Sequence, residues 1–208
     1  MIQELLYSFP WLTNQQVDQL ISLKKLYSEW NGRINVISRK DIDQLEIHHI
    51  LHSLFIGRIF SFQPGTRIMD AGTGGGFPGI PLSILFPQVE FTLVDSIAKK
   101  IQVVTSIKNE LGLKNVKPVQ QRLEEITGSF SFITGRAVTK LPQLFPLLKS
   151  KINTVKKEVE NHGILYLKGG DFEDELKNIK TDYHIYKIAD YFKDPWFETK
   201  SLIHLFNF

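Results

Sequence analysis

Apolar and polar residues repeat with a helical period through the first third of the chain. Between residues 11 and 30, apolar side chains recur every three or four positions, which predicts an amphipathic helix capped by Thr13 or Asn14. A second helical pattern follows Asp41 and is broken by a Pro-Gly pair. Residues 1–64 are therefore predicted to form a helical segment packed on the rest of the chain.

The remainder of the chain, residues 65–208, changes to short apolar runs that alternate with helical ones. The apolar runs predict strands at residues 67–70, 91–95, 130–134 and 163–168. Strands that alternate with helices form parallel βαβ units, so we expect an α/β domain with a mostly parallel, doubly wound sheet. Two later runs, at residues 183–188 and 201–206, alternate apolar with polar residues and predict an antiparallel pair at the end of the sheet.

Composition narrows the protein class. An apolar fraction of 42% over 208 residues is enough for one substantial globular domain. The absence of cysteine excludes disulfides and thiolate chemistry, and a net charge of +3 is too small to indicate nucleic acid by itself. No run approaches the ~18 apolar residues of a membrane span, so a cytoplasmic protein without membrane contact is expected.

The most distinctive segment is a glycine-rich loop, DAGTGGGFPG at residues 70–79, directly after the first predicted strand. Its glycines let the backbone turn sharply and let a ligand approach the main chain. The loop also satisfies the GxGxxG pattern of dinucleotide sites. Two features favour S-adenosyl-L-methionine instead: Asp70 gives a D-x-G-x-G-x-G order that resembles methyltransferase motif I, while Pro78 and Pro81 lack the N–H groups that a diphosphate needs.

A second acidic residue, Asp95, ends the second predicted strand, 23 residues after Gly72. At that position a carboxylate can accept hydrogen bonds from both hydroxyls of a ribose. Sites for NAD use the same device, and the carboxylate is also placed to cap the helix predicted from residue 97. Asp95 therefore supports a Rossmann-like nucleoside site without choosing the ligand.

At residues 70–82, DAGTGGGFPGIPL, the chain resembles the RsmG or GidB family of bacterial 16S ribosomal RNA guanine-N7 methyltransferases. The resemblance extends from about residue 30 to residue 168, with further matches at residues 92–96, 99–100, 121–125, 135–137 and 167–169. It implies a Rossmann-like class I methyltransferase fold with S-adenosyl-L-methionine as cofactor. It also implies 16S ribosomal RNA or the small ribosomal subunit as partner, and we expect a monomer.

The resemblance also implies which residues form the site. The residues carried over to cofactor binding are Asp70, Gly72, Gly74, Phe77, Asp95, Leu123, Glu124 and Arg136. Arg136 and Lys168 are the candidates for positioning the substrate, because each follows a predicted strand at the edge where open α/β sheets bind ligands. The local sequence at Leu123 and Glu124 would by itself predict a plain strand-to-helix junction.

The chain departs from the family pattern in its second helical segment. Where the family usually has RHILDS, residues 48–53 read HHILHS, which leaves the roles of His48, His49 and His52 open. Clustered imidazoles can bind a metal, but this spacing on an amphipathic helix is more typical of a polar face. We expect no metal site.

Methylation of guanine N7 needs no general base, because the nitrogen has an in-plane lone pair and no proton to lose. An active site of cations and aromatic rings is therefore expected, with catalysis by positioning and desolvation. Candidates for phosphate contact are Lys24, Lys25, Arg33, Arg39, Lys40, Lys99 and Lys100. The alternatives are a small-molecule methyltransferase, an NAD-dependent oxidoreductase and a binding module without activity.

Overall fold

The computed structural model describes residues 2–38, 41–153 and 162–208, and within them the chain folds around one seven-stranded sheet. The strands lie in the order β3-β2-β1-β4-β5-β7-β6. Their bounds are β1 Arg67–Ala71, β2 Glu90–Asp95, β3 Val116–Gln120, β4 Phe132–Arg136, β5 Gly163–Gly169, β6 Asp182–Lys187 and β7 Lys200–Phe206. The first five strands are parallel, and β7 pairs antiparallel with both β5 and β6. The predicted doubly wound, mostly parallel sheet is confirmed.

Helices cover the sheet and precede it. Their bounds are α1 Ile2–Ser8, α2 Asn14–Asn31, α3 His52–Ile59, α4 Gly79–Leu85, α5 Ala98–Glu110, α6 Leu141–Lys149 and α7 Glu173–Lys177. The predicted helix after Asp41 is irregular, since a 3₁₀ turn and a π-helical turn at Glu46–Leu51 come before α3. A π-helical turn is rare and often lies at a functional site.

Two strand predictions need correction. Strand β3 was not predicted from the sequence, because this edge strand contains Lys117 and Pro118 and therefore has no apolar run. Proline is tolerated on an edge strand, where its missing N–H leaves no ladder bond unmade. The fourth strand begins at Phe132 instead of at residue 130, since Phe130 forms an isolated bridge with Ile152.

The N-terminal helices share their buried core with the sheet. Helix α2 begins with the predicted cap, since the Thr13 side chain and Gln16 form a capping box. One face of α2 buries Leu20, Leu23 and Tyr27 in the same apolar cluster as residues from β1 and β2. The division at residue 64 stays a prediction, and the two parts are packed on one another.

The parallel register brings several strand ends to one edge of the sheet. Ala71 at the end of β1 lies opposite Val94 of β2 and Gly135 of β4. The segments that follow these strands, including the glycine-rich loop, therefore meet at the edge where open α/β sheets bind ligands.

Candidate functional site

Asp70 lies beneath the glycine-rich loop and holds its shape. Its carboxylate is fully buried and accepts hydrogen bonds from Thr73 Oγ1 at 2.6 Å, Gly79 N at 2.9 Å and Thr134 Oγ1 at 3.1 Å. Burial raises the pKa of Asp70 to about 6, while these donors favour the ionised form. The carboxylate therefore faces the loop and the neighbouring strand, and its effect on a ligand would pass through the loop.

Gly72 and Gly74 adopt conformations that other residues rarely take, with φ of 65° and 60°. A Cβ on Gly72 would lie 2.8 Å from Cγ2 of Val138, so any side chain at this position would collide with Val138. The Gly74 N–H donates to Asp95 Oδ2 at 3.0 Å. The loop and the second strand are therefore tied together at the sheet edge.

A cavity of about 450 Å³ opens beside this loop, and we call it the glycine-loop cavity. Four of the predicted site residues line it, namely Gly72, Asp95, Leu123 and Glu124. Further lining residues include Ser96 and Ile97 after β2, residues 137–139 after β4, and side chains of α5 and α6. The volume lies within the ~300–1,000 Å³ range of small-ligand pockets.

The Asp95 carboxylate is oriented by the main chain around it. One oxygen accepts from Gly74 N and the other from Ile97 N at 2.9 Å, just before α5 begins. Lys100 lies 3.6 Å from Oδ2. An ionised carboxylate has about four acceptor positions, so Asp95 keeps capacity for hydroxyl groups in the cavity.

A second cavity, of about 410 Å³, lies at the end of β4 and β5, and we call it the histidine cavity. It is lined by Asp41, His48, His49, His52, Arg136, Ala137, Leu167, Lys168, Gly169, Trp196 and Lys200. Ala137 lines both cavities, so they adjoin at the residue after β4. The two candidate ligand sites are therefore neighbours at this edge of the sheet.

Arg136 joins the end of β4 to the N-terminal helices. Its Nη1 donates to the His48 carbonyl at 3.0 Å and its Nη2 lies 2.8 Å from His49 Nδ1. The guanidinium carbon lies 5.3 Å from the centre of the Phe77 ring. Burial lowers the pKa of Arg136 to about 10, and the group stays charged near neutral pH.

The Phe77 ring packs between the Arg136 guanidinium and the Tyr27 ring. It is buried and packs on Tyr27, with ring centres 4.6 Å apart, and neither cavity is lined by it. Tyr27 donates its hydroxyl proton to the Gly75 carbonyl. The predicted role of Phe77 in direct cofactor contact stays a prediction, and the structure places its ring against Arg136 and Tyr27.

Lys168 lines the histidine cavity, but its charge is already paired. Its ammonium lies 2.9 Å from the Glu175 carboxylate, which also accepts from Leu141 N at 2.8 Å. Trp196 and Lys200 line the same cavity, with the Lys200 ammonium 4.6 Å from the centre of the Trp196 ring. Neither residue was predicted from the sequence, because no local motif marks Trp196 in the turn before β7 or Lys200 at the start of that strand.

The three histidines of the second helical segment have different surroundings. His48 stacks on Trp196 at 4.1 Å, and its Nδ1 lies 2.8 Å from Asp41 Oδ1. Burial lowers the pKa of His49 to about 3 and holds that of His52 well below its usual range. In the described part of the chain, no group of three or more metal-ligating side chains is arranged to hold an ion.

Buried neutral histidines predict acid sensitivity. His49, His52 and His204 have pKa values below those of the unfolded chain, so protons bind preferentially to the unfolded state as the pH falls below about 6.5. Asp70 has the opposite sign, because its raised pKa favours the folded state as the pH falls from about 6 to 4. The destabilising effect of the three histidines at low pH is larger than the stabilising effect of Asp70. The free energy of unfolding should therefore be roughly 2–4 kcal/mol lower at about pH 5 than at about pH 7.5.

Urea unfolding at the two pH values measures this difference, and His52→Leu should make it smaller. A protein equally stable at both pH values would contradict burial of the neutral rings.

The surface cations proposed for phosphate contact differ in their exposure and in their ion-pair partners. Ion pairs with carboxylates of this chain involve Lys24, Lys25 and Lys100. Arg33 lies over the Trp30 ring and Lys99 is exposed in α5. Arg39 and Lys40 lie outside the described residues. Exposed ion pairs contribute only ~0–1 kcal/mol, so pairing leaves Lys24 and Lys25 able to exchange partners, whereas Lys100 is paired with the buried Asp95. The role of these cations in phosphate contact stays a prediction.

Solved structures with the same fold include S-adenosylmethionine-dependent enzymes. A methyltransferase of this kind from Aquifex aeolicus matches with a TM-score of 0.56 and 16% identity, covering 82% of this chain and 98% of its own. The protein MtNAS, solved in complex with S-adenosylmethionine, matches with a TM-score of 0.57 and 14% identity, covering 88% of this chain and 72% of its own. These similarities show the fold. No helix among the described residues is both long and apolar enough to span a membrane.

Sequence relatives are far more similar. The ribosomal RNA small subunit methyltransferase G of Flavobacterium johnsoniae is 51% identical over 204 residues, which are 98% of this chain and 97% of the relative. The protein of the same name from Bacteroides thetaiotaomicron is 46% identical over 196 residues, 94% of this chain and 95% of the relative. The family model described as rRNA small subunit methyltransferase G, GidB, matches residues 16–199. The chain therefore belongs to the GidB family of rRNA small subunit methyltransferases.

Proposed function

We propose that this chain is an S-adenosyl-L-methionine-dependent methyltransferase that methylates N7 of a guanine in 16S ribosomal RNA. The observation that carries the proposal is the meeting of two cavities at Ala137, one beside the glycine-rich loop and one lined by cations and aromatic rings. The first suits a nucleoside and the second a base with nearby phosphates. Relatives named for the small ribosomal subunit support the choice of RNA.

The loop suits a cofactor without phosphates, because the N–H groups at the start of α4 already have partners. Gly79 N donates to Asp70, Ile80 N to the Gly76 carbonyl at 2.7 Å, and Leu82 N to the Pro78 carbonyl. Pro81 has no N–H. A diphosphate would find no donor at this helix end, which argues against NAD.

S-adenosyl-L-methionine, when bound, supplies an electrophilic methyl group on a sulfonium. Asp95 would hold the ribose hydroxyls, while Leu123 and Glu124 would flank the adenine. The positive charges of Arg136 and Lys200 would attract RNA phosphates to the histidine cavity, whereas the charge of Lys168 is paired with Glu175. Positioning the base is the main task of these residues, since N7 has no proton for a base to remove.

Methyl transfer from labelled S-adenosyl-L-methionine tests the proposal. We expect label in 16S ribosomal RNA, offered as small subunits or as naked RNA, and 7-methylguanosine after digestion to nucleosides. Label in another nucleoside would contradict the guanine-N7 assignment. No transfer to either substrate would leave the small-molecule methyltransferase as the better proposal.

Thermal shift separates the two cofactor classes. A ligand at ~100 times its Kd stabilises the folded state by about 2.7 kcal/mol, so S-adenosyl-L-methionine should raise the Tm and NAD should leave it unchanged. Stabilisation by NAD without stabilisation by the methyl donor would overturn the cofactor assignment.

We further propose that the enzyme acts as a monomer in the cytoplasm, where ribosomal subunits are assembled. Light scattering of the purified protein would measure its mass in solution.

A further inference from the structure

The contact between Arg136 and His49 fixes where the imidazole proton lies. A guanidinium has donors and no acceptor, so His49 Nδ1, 2.8 Å from Arg136 Nη2, must offer its lone pair. Burial keeps the ring neutral near pH 7, because it lowers the pKa of His49 to about 3. The one proton of a neutral ring whose Nδ1 accepts must be on Nε2.

The His49 ring is held in place as well as in one tautomer. Its edge packs on Phe77 with ring centres 5.1 Å apart, and Arg136 is itself anchored by the His48 carbonyl. The ring is half-buried and lines the histidine cavity. His49 therefore lines the cavity with a ring whose tautomer and orientation are both fixed by its neighbours.

The other cations of the cavity are less free to read a base. Both terminal nitrogens of Arg136 contact the N-terminal helices, and Lys168 is paired with Glu175. The Lys200 ammonium lies over the Trp196 ring. The contact between His49 and Arg136 uses Nδ1 of the imidazole and therefore leaves the Nε2–H group available.

The edge of guanine that carries N7 also carries O6, and both atoms are acceptors, whereas adenine has an N6 amino donor in place of O6. We propose, resting on the function proposed above, that His49 Nε2–H donates to O6 of the target guanine and leaves N7 free for methylation. The same donor would face the amino group of an adenine, which rejects that base. His49 is thus a specificity-determining residue, and Arg136 and Phe77 position it.

Two substitutions of similar shape separate this role from a structural one. His49→Gln places an amide N–H₂ near the position of Nε2, while His49→Asn places a carbonyl near that of Nδ1. We expect His49→Asn to lower kcat/KM for 16S ribosomal RNA by about 10-fold, the effect of losing one hydrogen bond between neutral groups. His49→Gln should retain most of the activity.

The opposite order would overturn the inference. If His49 only holds Arg136, then His49→Asn should stay active and His49→Gln should lose activity. Both variants should bind S-adenosyl-L-methionine as tightly as the unsubstituted protein, because the glycine-loop cavity is not lined by His49. Unchanged kcat/KM in both variants would also overturn the inference, while absence of transfer by the unsubstituted protein would overturn the proposed function first.

Nitrogen-15 NMR of the histidines gives a readout independent of activity. We expect the Nε2–H tautomer for His49 near pH 7, with no titration down to about pH 5 because its pKa lies at about 3. A proton on Nδ1 would overturn the inference even in an active enzyme.

Discussion

Replacing Asp95 with alanine should weaken S-adenosyl-L-methionine binding by at least ~100-fold and reduce methyl transfer below detection at ordinary cofactor concentrations. Hydrogen bonds to a charged group contribute ~1.5–3 kcal/mol each, and two ribose hydroxyls would lose theirs together. The substitution also releases the Gly74 N–H, which donates to Asp95 at 3.0 Å. The loop would therefore lose one of its ties to β2. Isothermal titration calorimetry measures the Kd directly.

Two control variants make the result specific. Asp95→Asn keeps one acceptor oxygen and should bind with intermediate affinity. Asp174→Ala removes an exposed carboxylate, paired with Lys177 in α7, that lines neither cavity, and it should bind like the unsubstituted protein. Thermal unfolding without ligand checks that Asp95→Ala is folded. Undiminished binding by a folded Asp95→Ala protein would contradict the ribose assignment.

The sequence could predict those parts of the site that depend on short local motifs and on the ends of predicted strands. The glycine-rich loop and Asp95 each lie directly after a strand, and parallel strands end at the same edge, so their meeting follows from the strand order. Pro78 and Pro81 correctly indicated a loop poorly suited to a diphosphate, because the N–H groups of Gly79, Ile80 and Leu82 at the start of α4 are already hydrogen-bonded. Local chemistry and topology were enough here.

Other parts depend on contacts between distant segments. His49 and Arg136 are 87 residues apart, and no periodicity indicates that they touch. Trp196 reaches the histidine cavity because β7 lies between β5 and β6, an order that the alternating pattern of the last two strands did not specify. The direction of a side chain could not be predicted from the sequence either. The Phe77 ring, for example, packs against the guanidinium of Arg136.

The N-terminal helical segment contributes to the site through these distant contacts. Three of its histidines line the histidine cavity, and Tyr27 fixes the loop by donating to the Gly75 carbonyl. The segment therefore contributes residues to the site in addition to burying apolar surface of the sheet. A change in the tilt of α2 would reach the loop and, through Phe77, the guanidinium of Arg136.

Asp70→Ala should lower the free energy of unfolding by about 4–5 kcal/mol, because it removes the acceptor of three buried donors. Thr73 Oγ1, Gly79 N and Thr134 Oγ1 all donate to this carboxylate, which is fully buried. The two donors in the loop would then have no partner at the position that shapes it. We therefore expect weaker S-adenosyl-L-methionine binding as well. Urea unfolding gives the free energy and calorimetry gives the Kd.

Thr134→Val is the matched control, since it removes one donor from β4 and leaves both loop contacts intact. Its free energy of unfolding should fall by only about 1 kcal/mol, with cofactor affinity unchanged. If Asp70 acts through the loop, affinity should fall in Asp70→Ala and not in Thr134→Val. Equal loss of affinity in the two variants would instead trace the effect to general destabilisation. Full affinity in Asp70→Ala would mean that the loop keeps its shape without the buried carboxylate.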